Sequence, residues 1–316
     1  MAAKPFASSA DLTERPATLE ELAGGVWAYT ATGDPNVGAI EGDDGLLCVD
    51  ARATPVMAGR WLDDLRRVTD KPVRWLVLTH YHAVRTLGAS AFGAEHIVAH
   101  DNTLALIRER GKQDFESEAA RMPRLFAGIE TVPGLTWPTI TFSERMTIDL
   151  GRRRVELRWF GRGHTEGDVG IWLPDERVLF AGDLVESEAA LYTGDAFHLD
   201  WMAGTLDRVA ALGAEAIVGG RGEVARGPRV DESIRQTRDF LVVLVDAVRE
   251  VQRREGSLRE AFDAAHHALA PRYGGWPIFE HCMPFNVQRA WDELAGARPR
   301  IWTAARDQAV WQALQD

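Results

Sequence analysis

Residues 73–90 read VRWLVLTHYHAVRTLGAS, an apolar run that ends in two histidines spaced one residue apart. The run from Val73 to Thr79 is rich in branched and aromatic residues, which predicts a buried strand. Layered α/β folds place their functional side chains beyond the carboxyl ends of strands. His80 and His82 follow the predicted strand with a spacing that lets two imidazoles reach one metal ion. The stretch therefore predicts a metal-binding loop at the edge of a sheet.

Short apolar segments separated by turn residues lie on both sides of this stretch. The predicted strands are GVWAYT, VGAIEG and GLLCVDA before it, and MTIDLG, RVELRWFG, VGIWLP, RVLFAGD and AIVGG after it. Thr54 followed by Pro55 predicts the start of an amphipathic helix, and further helical segments are expected near 101–127 and 203–212. Two strand-rich halves, each closed by helices, predict a sandwich of two sheets with helices outside.

The pattern changes after residue 228. The segment DESIRQTRDFLVVLVDAVREVQRR carries apolar residues at helical spacing, and Ser257 with Glu260 forms a capping box. We therefore predict a main domain over residues 1–228, with its core from about residue 22, and a C-terminal helical extension over 229–316. The apolar face of the extension is expected to pack on the main domain or on a second subunit.

Composition narrows the range of partners. The 316 residues carry a formal net charge of −11, which argues against binding to nucleic acid or to an anionic membrane. No segment approaches the run of about 20 apolar residues that a membrane helix needs. Cys48 and Cys282 are the only cysteines and are predicted to be free thiols. These features favour a cytoplasmic protein that acts on a small molecule.

Four short motifs each follow a predicted strand. They are THYHAVR (79–85), GRGHTEGD (161–168), FAGDLVE (180–186) and VGGRGEV (218–224). In this order they resemble the motifs of the metallo-β-lactamase superfamily, which read H-x-H-x-D-H, G-H-T-x-G, G-D and G-H-G. The resemblance covers residues 22–226 and implies an α/β (α+β) fold. This fold is a four-layer αββα sandwich with the metal site at one edge of the sheets, followed here by the C-terminal helical extension.

The resemblance also implies a set of metal ligands. His80, His82 and His164 match the histidines that hold the first metal, and Asp183 matches the aspartate that bridges the two metals. Three imidazoles around a divalent ion leave a position for water, as in catalytic rather than structural zinc sites. We expect one divalent ion, zinc in the first place, with iron as the alternative.

The second metal site departs from the family pattern. Val84 stands where the aspartate ligand belongs, and Arg85 and Arg221 stand where two histidines belong. Because a guanidinium is always charged, both arginines are predicted to replace the charge of the missing ion and to pair with Asp183. Clamping a substrate carboxylate or stabilising an oxyanion is a further option, and simple salt bridging stays open as well. The predicted catalytic set is Asp183, Arg85 and Arg221.

Four residues further along the chain are candidates for substrate contact. His198 follows the Asp183 motif in GDAFHLDW, and Trp276, Glu280 and His281 lie in the aromatic segment RYGGWPIFEHCMPFN. If this segment is a loop that folds over the metal, its aromatic side chains form an apolar wall for an aromatic or acyl group. The alternative is that they belong to a core between helices.

Three functions are compatible with these residues. The leading hypothesis is a mononuclear metal-dependent hydrolase that attacks an ester, lactone, thioester or activated ether. The second is a mono-iron dioxygenase of the persulfide dioxygenase type, because His80, His164 and Asp183 match the iron ligands of that group. The third is a catalytically reduced subunit that binds a partner. A homo-oligomer formed through the C-terminal helices is expected, and a hetero-oligomer with a related subunit is the alternative.

Overall fold

Two mixed β-sheets face each other in the structure, a computed structural model that describes residues 5–315. The first sheet has seven strands in chain order: β1 (Ala17–Ala23), β2 (Val26–Ala31), β3 (Val37–Glu41), β4 (Leu46–Val49), β5 (Val73–Val77), β6 (His96–His100) and β7 (Ile140–Phe142). It is antiparallel from β1 to β4 and parallel from β4 to β7.

The second sheet has six strands in the order β13-β12-β11-β10-β9-β8. These are β8 (Arg145–Asp149), β9 (Arg154–Trp159), β10 (Val169–Leu173), β11 (Val178–Gly182), β12 (Ala216–Gly219) and β13 (Ala225–Arg226). All neighbours are antiparallel except β11 and β12. The turns that carry the histidine, aspartate and arginine motifs follow β5, β9, β11 and β12, as the sequence predicts.

Helices cover the outer faces of the sheets. They are α1 (Pro55–Leu65), α2 (Ala83–Thr86), α3 (Asp101–Arg121), α4 (His198–Asp200), α5 (Leu206–Ala210), α6 (Pro228–Arg253), α7 (Leu258–Tyr273), α8 (Phe279–Leu294) and α9 (Ala304–Gln315). The Thr54 hydroxyl accepts a hydrogen bond from the Met57 N–H at 3.1 Å, which caps α1 as expected. The capping box of Ser257 and Glu260 likewise opens α7. The predicted four-layer sandwich with C-terminal helices is thus confirmed.

Buried apolar side chains form three layers. Val49 and Phe180 belong to the layer between the sheets, and Trp61 of α1 belongs to the layer on the outer face of the first sheet. Leu179 of β11 and Leu244 of α6 lie in one large cluster on the outer face of the second sheet. The extension therefore packs on the main domain, and the predicted boundary at residue 228 does not separate two cores.

Some elements differ from the sequence-based expectation. The strand β1 was not predicted, because its sequence ATLEELA is rich in helix-forming residues. The helical segment near 203–212 begins earlier, at His198, and includes a π-helical turn over Trp201–Thr205. Most of the aromatic segment is helical, since α8 already begins at Phe279 and contains Pro284 in its interior. Among the described residues, no helix combines the length and apolar character needed to cross a bilayer.

Candidate metal centre

The loop after β5 is anchored to the sheet by a buried aspartate. The Thr79 N–H donates to Asp50 Oδ1 and the Thr79 hydroxyl donates to Asp50 Oδ2, both at 2.8 Å. Asp50 directly follows β4. This pairing fixes the direction in which the chain leaves β5. It places His80 at the edge of the sheet, where its side chain is 1% exposed.

The second half of this loop is held by α3. The side chain of Asp114 accepts from the Ala83 N–H at 2.7 Å, and that of Glu118 accepts from the Val84 N–H at 2.9 Å. These N–H groups open the short helix α2 and have no acceptor within it. The two acids thereby fix His82, which is the residue before α2.

His164 lies in a loop closed by its own hydrogen bonds. The Thr165 N–H and hydroxyl donate to the two oxygens of Asp168 at 2.8 and 2.7 Å. This contact fixes the shape of the loop. It places His164 opposite the loop that carries His80 and His82.

The structure brings the three predicted histidines together. One ring nitrogen of each lies within 4.8 Å of the others, and all three side chains are buried. The other ring nitrogen of each histidine contacts a supporting group. That of His80 lies 3.0 Å from the Thr79 hydroxyl, and that of His82 lies 3.2 Å from the Asp195 carboxylate. That of His164 lies 2.9 Å from the Tyr192 carbonyl.

These contacts set the tautomer of each ring. Because the Thr79 hydroxyl already donates to Asp50, it accepts from His80 Nδ1, and the Tyr192 carbonyl must likewise accept from His164 Nδ1. His80 Nε2 and His164 Nε2 then carry the free lone pairs, and the protonated His82 ring donates from Nδ1 to His164 Nε2 at 3.0 Å. His80 Nε2 is buried and has no hydrogen-bond partner among the described residues. The three rings therefore fit a single divalent ion, with each ligand held from behind.

The three rings differ in their protonation. Burial lowers the pKa of His80 well below its usual value and that of His164 to about 3, so both are neutral and ready to ligate. Burial also acts to lower the pKa of His82, but the charges of Asp114 and Asp195 outweigh it and raise the value to about 9. A metal ion at this centre must therefore displace a proton from His82 at neutral pH.

Two buried arginines pair with Asp183. Both Nη nitrogens of Arg85 are engaged, Nη2 with Asp183 Oδ1 and with the Gly220 carbonyl at 2.7 Å, and Nη1 with the Asn36 carbonyl at 2.6 Å. Arg221 Nη1 donates to Asp183 Oδ2 at 2.9 Å. Burial opposes ionisation of Asp183, but the two guanidinium groups hold its pKa well below the usual range.

Asp183 nevertheless remains beside the histidines. Its Oδ2 lies 3.6 Å from His164 Nε2. Val84, which replaces the aspartate of the motif, is fully buried in an apolar cluster with Leu87 and Met122. The pairing of both arginines with Asp183 agrees with the salt-bridge hypothesis drawn from the sequence.

Of the four predicted substrate contacts, the structure brings only His281 to the histidine cluster. His198 is buried, and its ring nitrogens pair with Glu293 at 2.5 Å and with Thr193 at 2.9 Å. Trp276 packs on Tyr273 with ring centroids 4.6 Å apart. Glu280 is on the outer side of α8 and contacts His266 at 2.8 Å.

The space beside the histidines is a small closed cavity. It offers about 10 Å³ to the centre of a water molecule, which is room for one water. The C-terminal end of α3 and the N-terminal end of α8 form its outer wall. Its lining consists of His82, Glu118, Arg121, Met122, Asp183, Tyr192, Arg221, Ile278, His281 and Cys282.

Sequence reasoning missed several residues of this centre. Asp195 contacts His82, yet we selected His198 from the same segment, GDAFHLDW. An acidic residue next to glycine, shortly after the Asp183 motif, was the available signal. Glu118 and Arg121 gave no such signal, because they lie inside a charged helix whose position depends on long-range packing.

Comparisons with known proteins agree with this geometry. The model of the family described as "Metallo-beta-lactamase superfamily" matches residues 31–221. A metallo-beta-lactamase type 2 from Bacillus sp. (strain 170) is 27% identical over 58% of this chain and 67% of its own length. The alpha subunit of 2,4-dinitroanisole O-demethylase from Nocardioides sp. (strain JS1661) is 29% identical over 58% of this chain. The matched region spans only 48% of that subunit.

Solved structures show the same fold. A metallo-beta-lactamase from Pontibacter korlensis superposes with a TM-score of 0.57 at 20% identity, over 72% of this chain and 99% of its own. A double mutant of the sec-alkyl sulfatase PisA1 superposes with a TM-score of 0.68 at 16% identity, over 89% of this chain and 50% of its own. The second alignment leaves about a tenth of the chain unmatched, so it includes much of the C-terminal helices.

Proposed function

The chain belongs to the metallo-beta-lactamase superfamily, and from that premise we propose that it is a mononuclear metal-dependent hydrolase. One observation carries the proposal: three buried imidazoles converge on one point, and the second nitrogen of each ring is held by another group. A divalent ion bound there lowers the pKa of a coordinated water toward neutrality. Zinc is proposed in the first place, since three nitrogen ligands suit it.

The residues of the chain have separate roles in this proposal. His80, His82 and His164 hold the ion, while Asp195 orients His82 through its Nε2. Asp183 accepts a hydrogen bond from the nucleophilic water and thereby orients it. Arg85 and Arg221 keep Asp183 ionised and supply the positive charge of the second metal site. These catalytic roles are proposals for this chain.

The proposed substrate is an ester or an activated aryl ether. Relatives support both bond types, since two are subunits of a 2,4-dinitroanisole O-demethylase and one is a linear primary-alkylsulfatase. Lactones and thioesters have no such support among these relatives. Because the cavity holds only one water, we propose that its outer wall moves when a substrate enters.

A partner-binding role is the second candidate. The demethylase relatives are the alpha and beta subunits of one enzyme, and both resemble this chain. The closed cavity also fits a subunit whose activity depends on association. An iron dioxygenase has less support, because His82 joins His80 and His164 in the cluster, whereas a facial triad takes two histidines and one carboxylate.

Elemental analysis of the purified protein tests the proposal. We expect about one zinc per chain, lost in His82→Ala and retained in His267→Ala, a control at an exposed position on α7. The loaded protein should hydrolyse 4-nitrophenyl acetate, 4-nitrophenyl sulfate or 2,4-dinitroanisole without oxygen, and His82→Ala should not. Failure to bind metal after reconstitution would overturn the enzyme proposal. Metal binding with activity only beside a second subunit would favour the partner role.

A further inference from the structure

Two buried arginines border the cavity beside the histidines. Arg121 is the last residue of α3, and Arg221 follows β12, so they reach the cavity from different parts of the fold. Arg121 is 1% exposed and Arg221 is 3% exposed. Neither charge is therefore stabilised by bulk water, and each guanidinium depends on what lies around it.

Arg121 is only partly satisfied by its neighbours. Its Nη1 donates to the Tyr192 hydroxyl at 2.8 Å, and its guanidinium carbon lies 4.8 Å from the ring centres of both Tyr192 and Phe285. Its Nε is buried and has no hydrogen-bond partner in residues 5–315. The nearest paired carboxylate oxygen, on Asp307, is 3.8 Å from Nε, beyond hydrogen-bond distance. That oxygen already accepts from the Ser117 hydroxyl.

Arg221 shows the same pattern. Its Nη1 donates to Asp183 and lies 3.5 Å from Glu186, but its Nε has no partner within the described part of the chain. A guanidinium has five N–H donors in a fixed plane, and a buried donor without an acceptor is unfavourable. The cavity therefore contains two planar cations with donors that lack protein acceptors.

The two acids that line the cavity already accept hydrogen bonds. Asp183 accepts from Arg85 and from Arg221, and Glu118 accepts from the Val84 N–H. A single water molecule can accept only two hydrogen bonds. An anion offers more acceptor sites than one water, so it can accept from donors of both guanidinium groups.

We propose that Arg121 and Arg221 form an anion site facing the histidine cluster, where they bind an oxyanion of the substrate or of its leaving group. Arg121 is then a substrate-contacting residue that none of the family motifs includes. The substrates concerned carry or release an oxygen anion, as sulfate esters, aryl carboxylates and nitrophenyl ethers do. This substrate class rests on the proposed hydrolase function, whereas the anion site itself does not.

Bromide is a suitable probe, because it is monatomic and the cavity is small. Crystals of the full chain, metal-loaded and metal-free, are soaked in sodium bromide, and the anomalous signal of bromine locates the ion. We expect a peak in hydrogen-bond contact with the guanidinium groups of both Arg121 and Arg221. Peaks on surface arginines only, or on the metal alone, would overturn the proposal.

A solution measurement uses matched variants. Bromide should raise the melting temperature of the unaltered protein, and Arg121→Met should weaken the apparent bromide affinity at least tenfold. Arg289→Met is the control, since Arg289 is also buried and lies near an aromatic ring, that of Phe197, away from the cavity. Equal responses from both variants would count against the site. If Arg121→Met does not fold, the crystallographic result on the unaltered protein decides.

The two proposals fail separately. Bromide between the arginines in a protein that binds no metal would retain the anion site and remove the hydrolase. One zinc per chain with no bromide in the cavity would retain the metal centre of the hydrolase proposal and remove the anion site.

Discussion

Arg85 is a buried arginine paired with a buried carboxylate. It stands at the sequence position where the family motif has a histidine, and its guanidinium brings a positive charge to Asp183. Burying two charges carries a large desolvation penalty, which their attraction offsets only if the hydrogen bonds are complete. Here the carbonyls of Gly220 and Asn36 accept from the two Nη groups of Arg85, whereas its buried Nε has no hydrogen-bond partner within residues 5–315. The arginine is therefore specified by its surroundings, and a lysine could not make the same set of contacts.

This pairing predicts a non-additive effect on stability. Arg85→Met should lower the free energy of unfolding by about 3–5 kcal/mol, because it leaves Asp183 buried with only one cationic partner. Adding Asp183→Asn removes the buried negative charge, so the double variant should regain part of that loss. Urea unfolding of the four proteins in the cycle measures the coupling. Additive losses in the cycle would show that the two side chains do not act as a pair.

At this scale the sequence predicts which histidines meet better than it predicts the residues that support them. His80 and His82 follow one strand at a local spacing, and the motif that contains His164 completes the set of three that the structure brings together. Asp195 was missed because its contact with His82 joins segments that are far apart in the chain, which only the packed fold brings together.

The first turn of α8 lines the cavity, and Ser8 of the N-terminal segment Phe6–Asp11 contacts two of the lining residues from outside. The Ser8 N–H donates to the Arg121 carbonyl at 3.0 Å, and the Ser8 hydroxyl lies 2.9 Å from His281 Nδ1. Phe6 packs edge to face on Trp311 with ring centroids 5.7 Å apart. Ile278, just before α8, has a φ of 59°, a left-handed conformation that is unfavourable for a β-branched residue. The left-handed conformation at Ile278 is locally strained, so we expect the cavity to open first at this junction.

Weakening this closure should speed metal exchange. The double variant Phe6→Ala/Ser8→Ala removes an aromatic contact and a side-chain hydrogen bond, worth about 1 kcal/mol each, which corresponds to roughly tenfold or more in the opening equilibrium. We expect EDTA to remove zinc about tenfold faster from this variant, followed with a zinc-responsive dye. Leu12→Ala is the control, because Leu12 is 69% exposed. Equal rates for both variants would indicate that metal leaves by another route.

Elements whose neighbouring residues carry a strong signal, such as a helix cap or an apolar run, were predicted correctly. Elements that depend on long-range packing were not. The cap at Thr54 and the run from Val73 depend on neighbouring residues, and both lie where expected. The aromatic segment at residues 272–286 was considered as a loop, yet α8 forms there with Pro284 in its interior, because packing against α6, α7 and α9 outweighs local preference. The N-terminal end of α8 helps to close the cavity, so a segment predicted as a loop does not foresee a closed cavity.

The whole molecule is stabilised by a core that crosses the predicted domain boundary. Apolar side chains of the second sheet, such as Leu179 and Ile217, share one cluster with Phe240 and Leu244 of α6 and Phe285 of α8. The same helices supply His281 and Cys282 to the cavity. The C-terminal helices thus contribute to the stability of the sandwich and to the surroundings of the metal centre.

A chain that ends at Gly227 should therefore not fold. It would expose the outer face of the second sheet, and each large apolar side chain that becomes exposed costs about 1.5–3 kcal/mol. Because domains are stable by only about 5–15 kcal/mol, the loss of a few such contacts is enough to unfold the main domain. We expect weak near-ultraviolet circular dichroism and no cooperative urea transition for this chain, against a single transition for the full chain. A cooperative transition near the full-length midpoint would instead establish residues 1–227 as an independent domain. The extension would then serve only to close the cavity, and the closure at Ser8 and His281 would be its main contribution.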